Sequence, residues 1–336
     1  MSNSESNETL TRMGPGAAMG RVFRQFWQPA LLSEELPVAD CPPVRVRLMG
    51  EDFVAFRDSS GKVGLLDAHC PHRLAALFFG RTEEGGLRCV YHGWKFSVAG
   101  EILDMPSEPQ GSPMRCNPNL RAKAYPVREA GGIIWAYLGP QESMPALPDM
   151  EFMSLPPQNV HVSKCLMKCN YLQALEGSID TAHLTFLHHS MAPMEKDVFA
   201  VGNLQEFGDA DGAPRFFCED TDFGMRISAR RDGGNGNYYW RITQWLMPNY
   251  VLVPTAEGLV CRANLFIAID DENCWWYRIA AVHSRIIPEP VLNGRLPTLP
   301  YTRPGAWQRT VVGKSSRPPG FGRGYPAAVV LPVLSR

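Results

Sequence analysis

The sequence predicts an α+β chain of two domains, an antiparallel β domain over residues 13–150 and a second domain over 151–289 in which strands flank one helix. Three observations predict it. Short apolar runs broken by glycine fill the first part, a single helical stripe lies between 172 and 186, and long strand-like runs follow that stripe.

Residues 1–12 form a polar, acidic arm with neither signal- nor transit-peptide character. Val44, Val46 and Leu48, then Phe53, Val54 and Phe56, are separated by Gly50 and followed by Gly61 and Gly64, which is hairpin patterning. Ile133 to Leu138 is a further strand after Gly131-Gly132. The Pro- and Met-rich stretch 141–158 is the expected boundary. Residues 159–168 read as a strand. Leu172, Leu175, Ile179, Ala182 and Phe186 then recur at spacings of three and four, the apolar stripe of a helix. Strand runs follow at Arg215–Arg230, Tyr238–Tyr250 and Leu259–Ala281, with the Gly-rich 232–236 as a turn. There is no internal repeat, and Gly320, Gly322 and Gly324 lack the strand–helix frame of a nucleotide loop.

Composition narrows the function. A net charge of −1 gives no support for nucleic-acid or membrane-surface binding, and no run approaches the eighteen apolar residues of a membrane span. Nine cysteines without an export signal point to a reducing, cytoplasmic setting. Cys41, Cys116, Cys165, Cys169, Cys218, Cys261 and Cys274 are expected as buried thiols, and Cys165-x₃-Cys169 lacks the partners of a metal pair.

Two cysteines stand apart. Cys70-Pro71-His72 and Cys89-Val90-Tyr91-His92 form C-x-H…C-x-x-H, with sixteen residues between His72 and Cys89. Two thiolates and two imidazoles are the ligands of a Rieske [2Fe–2S] centre, with the cysteines on one iron and the histidines on the other. Zinc takes the same set, but zinc fingers pair Cys with Cys and His with His, whereas each loop here offers one of each. Pro71 and Gly93 suit loop tips, and His69 is off register and read as structural.

On the helix, Gln173, Glu176, Asp180 and His183 recur at spacings of three and four, within about 80° of one another. His188 follows near the helix end, with His189 competing for its place. Two histidines with open coordination positions fit a mononuclear non-haem Fe(II) centre, so His183 and His188 are the expected imidazoles. Asp180 is the acceptor for the far N–H of an iron-bound histidine.

Together these motifs resemble the α subunit of Rieske non-haem iron ring-hydroxylating oxygenases, in the phthalate 4,5-dioxygenase-like branch. The matching residues are Cys70-Pro-His72-Arg73, Cys89-Val-Tyr-His92-Gly93-Trp94-Lys95 and Asn170 to His188, the last with its E-x₃-D-x₂-H-x₄-H pattern. The likeness runs from about Leu10 to about Ile279. It implies a Rieske domain, a helix-grip antiparallel catalytic sheet and a head-to-tail homotrimer in which Asp180 bridges one subunit's cluster to its neighbour's iron. It also implies a separate reductase drawing on NAD(P)H, O₂ as co-substrate, and hydroxylation or O-demethylation of a small aromatic substrate.

The chain departs from that pattern at its end. No Asp or Glu follows Glu289, where the family places its third iron ligand, and 290–336 holds eight prolines, six glycines and seven basic residues. The expectation is an incomplete or replaced C-terminal part, as a truncation or frameshift would leave, with Trp275, Trp276, Ile279 or their neighbours partly uncovered. Asp270 or Asp271 is the alternative ligand. An electron-transfer protein or an inactive oxygenase remnant are the alternative functions. Arg241 and Arg262 lie in strand-like runs, where salt bridges are favoured over a carboxylate clamp.

Overall fold

The computed structural model describes residues 4–117, 119–187, 211–254, 261–282 and 311–313. The chain divides into two compact units, Met1–Leu147 joined by Ile267–Cys274, and Pro148–Phe266 joined by the residues from Trp275 onward.

The first unit is built from three small antiparallel sheets. Val44–Leu48, Glu51–Arg57, Val63–Asp67 and Ala124–Tyr125 form one; Gln28–Leu32, Ile133–Ala136 and Val127–Ala130 form the second. The third joins Arg81–Glu83, Gly86–Arg88, Lys95–Phe96 and Ile102–Asp104. The alternating pattern of 44–56 is a hairpin whose turn, Met49-Gly50, takes positive φ at both residues (49° and 77°), as a two-residue hairpin turn requires. The turn's two N–H groups donate to the Ala268 and Ile269 carbonyls at 2.9 and 2.8 Å, which brings 267–274 into this unit. Asp271 there accepts from Arg12 Nη1 and from the Met13 N–H, and Asp270 caps its own turn through Glu272 and Asn273. Both carboxylates are committed to holding this segment rather than offered to a metal.

The second unit carries one large sheet, in the order Val160–Met167, Cys274–Ala281, Cys261–Ala268, Tyr250–Leu252, Tyr238–Leu246, Gly224–Asp232, Arg215–Thr221. Val311–Gly313 pairs antiparallel with Tyr238–Trp240, so three residues of the 290–336 stretch join the sheet as a strand; 290–310 and 314–336 lie outside the described residues. The helix Tyr171–Ile179 lies against Tyr250–Leu252 and Tyr238–Leu246, and buries Tyr171 and Leu175. Trp275 and Trp276 are half-buried and Ile279 is buried, so of these three the tryptophans are the partly uncovered ones. Cys165 and Cys218 are exposed and Cys169 half-buried, where buried thiols were expected. Cys165 and Cys218 sit on the two outermost strands of the sheet among the described residues.

Candidate metal centres

The paired motifs fold into two loops of the same design. The first follows Val63–Asp67. Cys70 N–H donates to the Ala75 carbonyl (2.8 Å) and Leu74 N–H donates to the Cys70 carbonyl (2.9 Å). The second lies between Gly86–Arg88 and Lys95–Phe96, where Cys89 N–H donates to Trp94 (2.8 Å) and Gly93 N–H to Cys89 (3.1 Å). In each loop the residue four past the cysteine is left-handed, Leu74 at φ 56° and Gly93 at φ 76°. Gly93 has a second constraint, since a Cβ there would fall 2.6 Å from Pro106 Cγ. Arg88 braces the second loop, its Nη1 bonding both the Gly93 carbonyl (2.7 Å) and Asp104 (2.8 Å) while Nε reaches Glu83.

The loops bring all four predicted residues together. Cys70 and Cys89 are buried in a core with Val54, Phe56, Leu66, Leu77 and Trp94. His72 and His92 are half-buried, with ring centroids 4.7 Å apart, and His72 stacks on Trp94 at 4.4 Å and 2°. Burial pushes the Cys70 thiol up to about 11; N–H groups of His72 and Arg73 oppose that, and the adjacent Cys89 adds to it. Burial, with His92 and Arg73 nearby, lowers His72, and Glu108 lies 4.0 Å from its Nε2. A cation beside such a buried thiol favours its thiolate form. Among the described residues no three His, Cys, Asp or Glu donors converge on one ion. The four here are grouped two and two, thiols inside and imidazoles outside, which is the division a [2Fe–2S] cluster takes. The residues fit that group.

The second constellation differs from its sequence reading. Asn170 caps the helix Tyr171–Ile179 through Leu172 N–H (2.9 Å), but the helix stops at Asp180, whose backbone is extended (ψ 134°). A short turn, Leu184–Leu187, follows. The stripe is therefore not one continuous face: Gln173 and Glu176 are exposed and face each other, and only Asp180 and His183 converge. The cause is Asp180 itself. Its carboxylate accepts from the N–H groups of Ala182 (2.9 Å) and His183 (3.1 Å), so a short polar side chain displaces the helical ladder. It also meets His183 Nδ1 at 2.9 Å. Burial works against its ionisation, but these hydrogen bonds outweigh it and hold the carboxyl below the usual range. With Nδ1–H given to Asp180, the lone pair of His183 sits on Nε2. The described part of this centre thus has the chemistry of an imidazole prepared for a metal. His188 and the competing His189 lie outside the described residues.

Two arginines of the sheet bear on this centre. Arg231 pairs across strands with Tyr239, and Ala229 with Arg241, so Arg231, Tyr239, Arg241 and Thr243 share one buried face. It is the helix-bearing face, because Arg231 reaches Thr181, and Asn264, aligned with it through Val251 and Trp245, reaches Ser178 at 3.0 Å. Arg231 was not anticipated; its contact spans fifty positions of sequence. Arg241 is 6% exposed, and among the described residues its Nε and Nη1 find no acceptor at full hydrogen-bond geometry, with Tyr239 nearby. Burial pulls it down to about 10, with Tyr239 opposing and Arg262 assisting. Burial, with Arg278 beside it, also lowers Arg262. Among the described residues neither Arg241 nor Arg262 forms the salt bridge the sequence favoured. The carboxylates of the sheet that do pair, such as Glu219 with Arg226, lie elsewhere.

Comparison with known proteins agrees with this geometry. Residues 26–126 match the Rieske [2Fe-2S] domain, and residues 136–290 match the LigXa C-terminal domain like family. The chain is 38% identical over 299 residues to the 3-chlorobenzoate-3,4-dioxygenase oxygenase subunit of Comamonas testosteroni, covering 88% of this chain and 67% of that one. It is 39% identical to the phthalate 4,5-dioxygenase oxygenase subunit of Pseudomonas putida, covering 83% of this chain and 64% of that one. Thus it spans about two thirds of the length of these relatives. The crystal structure of dicamba monooxygenase bound to 3,6 dichlorosalicylic acid superposes with a TM-score of 0.63 over 81% of each chain at 20% identity, which reflects a shared fold. No described helix is long and apolar enough to cross a membrane. With both domain matches in order along the chain and the cluster loops formed, the chain belongs to the Rieske ring-hydroxylating oxygenase α-subunit family.

Proposed function

We propose that this chain is the oxygenase component of a cytoplasmic aromatic ring-hydroxylating system acting with O₂ on a small aromatic carboxylate. Cys70 and Cys89 would hold one iron of the cluster and His72 and His92 the other, while His183 and His188 would hold a mononuclear Fe(II). When bound, the cluster supplies single electrons at a potential of roughly −150 to +300 mV and the Fe(II) supplies the O₂-activating centre. The electrons come from NAD(P)H through a separate reductase, and the working assembly is a homotrimer.

The chain's own residues do the rest. Asp180 accepts a hydrogen bond from His183 Nδ1–H, fixing the ring's tautomer and direction, and it remains ionised at neutral pH. Arg241 offers two buried N–H groups to an anionic substituent, which orients the ring before reaction. Relatives named for phthalate and chlorobenzoate support an aromatic carboxylate. The observation that carries the reading is the presence, in one chain, of the paired Cys/His loops and of an imidazole whose Nδ1 is committed to a carboxylate.

The test is metal counting. Purified full chain with its cluster loaded should take up one further Fe(II) per chain, and His183→Ala should lose that uptake while keeping the cluster's visible spectrum. Cluster-loaded protein that takes up no further Fe(II) would leave an electron carrier and refute the oxygenase reading. Loss of the visible spectrum in His183→Ala would refute the division of ligands.

A further inference from the structure

We infer that Arg231 is the positioning residue of the His183 centre: its buried guanidinium replaces the helical hydrogen bonds lost where the chain breaks at Asp180. The inference rests on the metal reading above and adds to it a residue on a distant strand. In an unbroken helix the Thr181 carbonyl would accept from the N–H of residue 185. Here Thr185 N–H donates to Ala182 instead (3.4 Å), and Phe186 and Leu187 both donate to His183. Arg231 fills the gap. Its Nη2 donates to the Thr181 carbonyl (2.8 Å) and approaches Thr185 Oγ1 (3.5 Å), and its Nη1 donates to Thr181 Oγ1 (3.3 Å). Nε is held by the Asp211 carbonyl at 3.1 Å.

Both partners are sealed from water, since Arg231 and Thr181 are each 1% exposed. A buried cation is costly unless its donors are used. These donors are used almost entirely on 181–185, the segment that sets where Asp180 and His183 point. The sheet strand Gly224–Asp232 fixes the arginine, so the break is referenced to the rigid sheet rather than to the short turn that follows. A buried arginine that only packed the core could be replaced without affecting the metal; one that directs His183 could not.

The experiment uses the full chain with its cluster loaded and Co(II) as the probe, titrated optically. Arg231→Met should weaken Co(II) binding about tenfold or more, as loss of supporting contacts around a metal ligand does, with the cluster spectrum unchanged. Ser178→Ala, which removes the Asn264 contact on the same helix, should bind Co(II) as the parent does. Arg231→Lys keeps the charge but cannot span both Thr181 acceptors. It should still weaken Co(II) binding and speed amide hydrogen exchange across 181–187, which keeps the inference testable if the Met variant does not fold. Parental affinity and exchange in Arg231→Lys, or parental affinity in Arg231→Met, would overturn it. A His183→Ala chain that binds Co(II) normally would overturn the metal reading and this inference with it. Loss in His183→Ala but not in the Arg231 variants would overturn this inference alone.

Discussion

Replacing Asp180 separates the structural and chemical parts of the His183 centre. Asp180 accepts three hydrogen bonds, from the Ala182 and His183 N–H groups and from His183 Nδ1. The two backbone bonds close a local side-chain turn over 180–183, worth about 1 kcal/mol. The imidazole bond involves a carboxylate whose side chain is 40% exposed, so solvent screening reduces it to roughly 1 kcal/mol. Asp180→Ala should therefore destabilise the second unit by about 2 kcal/mol, read by urea unfolding. Asp180→Asn keeps an acceptor for the backbone and should lose about half as much, while both variants bind Co(II) about tenfold more weakly because the tautomer is no longer fixed. The pH dependence has a definite sign. The folded carboxyl titrates below its unfolded value of about 3.9, so its contribution is full above that pH and is lost as pH falls through the lowered folded value. Parental stability and parental Co(II) affinity in Asp180→Ala would refute the reasoning.

Cys70→Ser and Cys89→Ser should each abolish the cluster's visible absorption, and retention of full absorption in either would rule out that ligand. Leu74→Gly should stabilise the first unit by about 1 kcal/mol in thermal unfolding, because an exposed leucine at φ 56° pays for a left-handed backbone that glycine adopts freely; destabilisation would show that the side chain is needed. Arg241→Met should stabilise the second unit by about 1–3 kcal/mol in urea while raising KM for an aromatic carboxylate far more than for its uncharged amide. Equal effects on the two substrates would refute a charge-based role.

The juxtaposition of the first four residues was legible because it is local. Each loop holds one cysteine and one histidine within a few residues, and the hairpin pattern around them predicts where the loops lie. In the second candidate site the meeting of Asp180 and His183 was legible, but not its shape. Spacings of three and four are the same for one helix and for a helix broken at Asp180, and the break is decided by a side chain that competes for Ala182 and His183 N–H groups. Aspartate's weak helix preference is the signal that could have found it. Arg231 was illegible, because nothing near residue 231 says that it will meet Thr181. Arg241 was visible as a strand arginine, but its lack of an acceptor is a tertiary fact. The same holds for Asp270 and Asp271, free in the sequence and committed in the fold.

Arg231 and Arg241 occupy neighbouring positions of one sheet face, are almost equally buried, and differ in one respect. The first has carbonyl and hydroxyl acceptors for its N–H groups; the second has two groups that find none at full hydrogen-bond geometry among the described residues. Burial alone would disfavour both charges, and it lowers both. Removing the acceptors of a buried cation costs several kcal/mol, so the fold carries at Arg241 a cost that it avoids one strand away. Arg262 and Arg278 on the same sheet add repulsion that no described carboxylate of the face relieves. An anionic ligand beside Arg241 would supply both acceptors and a counter-charge, whereas its amide would supply an acceptor without the charge. Discrimination between a carboxylate and its amide would then rest on the counter-charge that the described carboxylates do not provide.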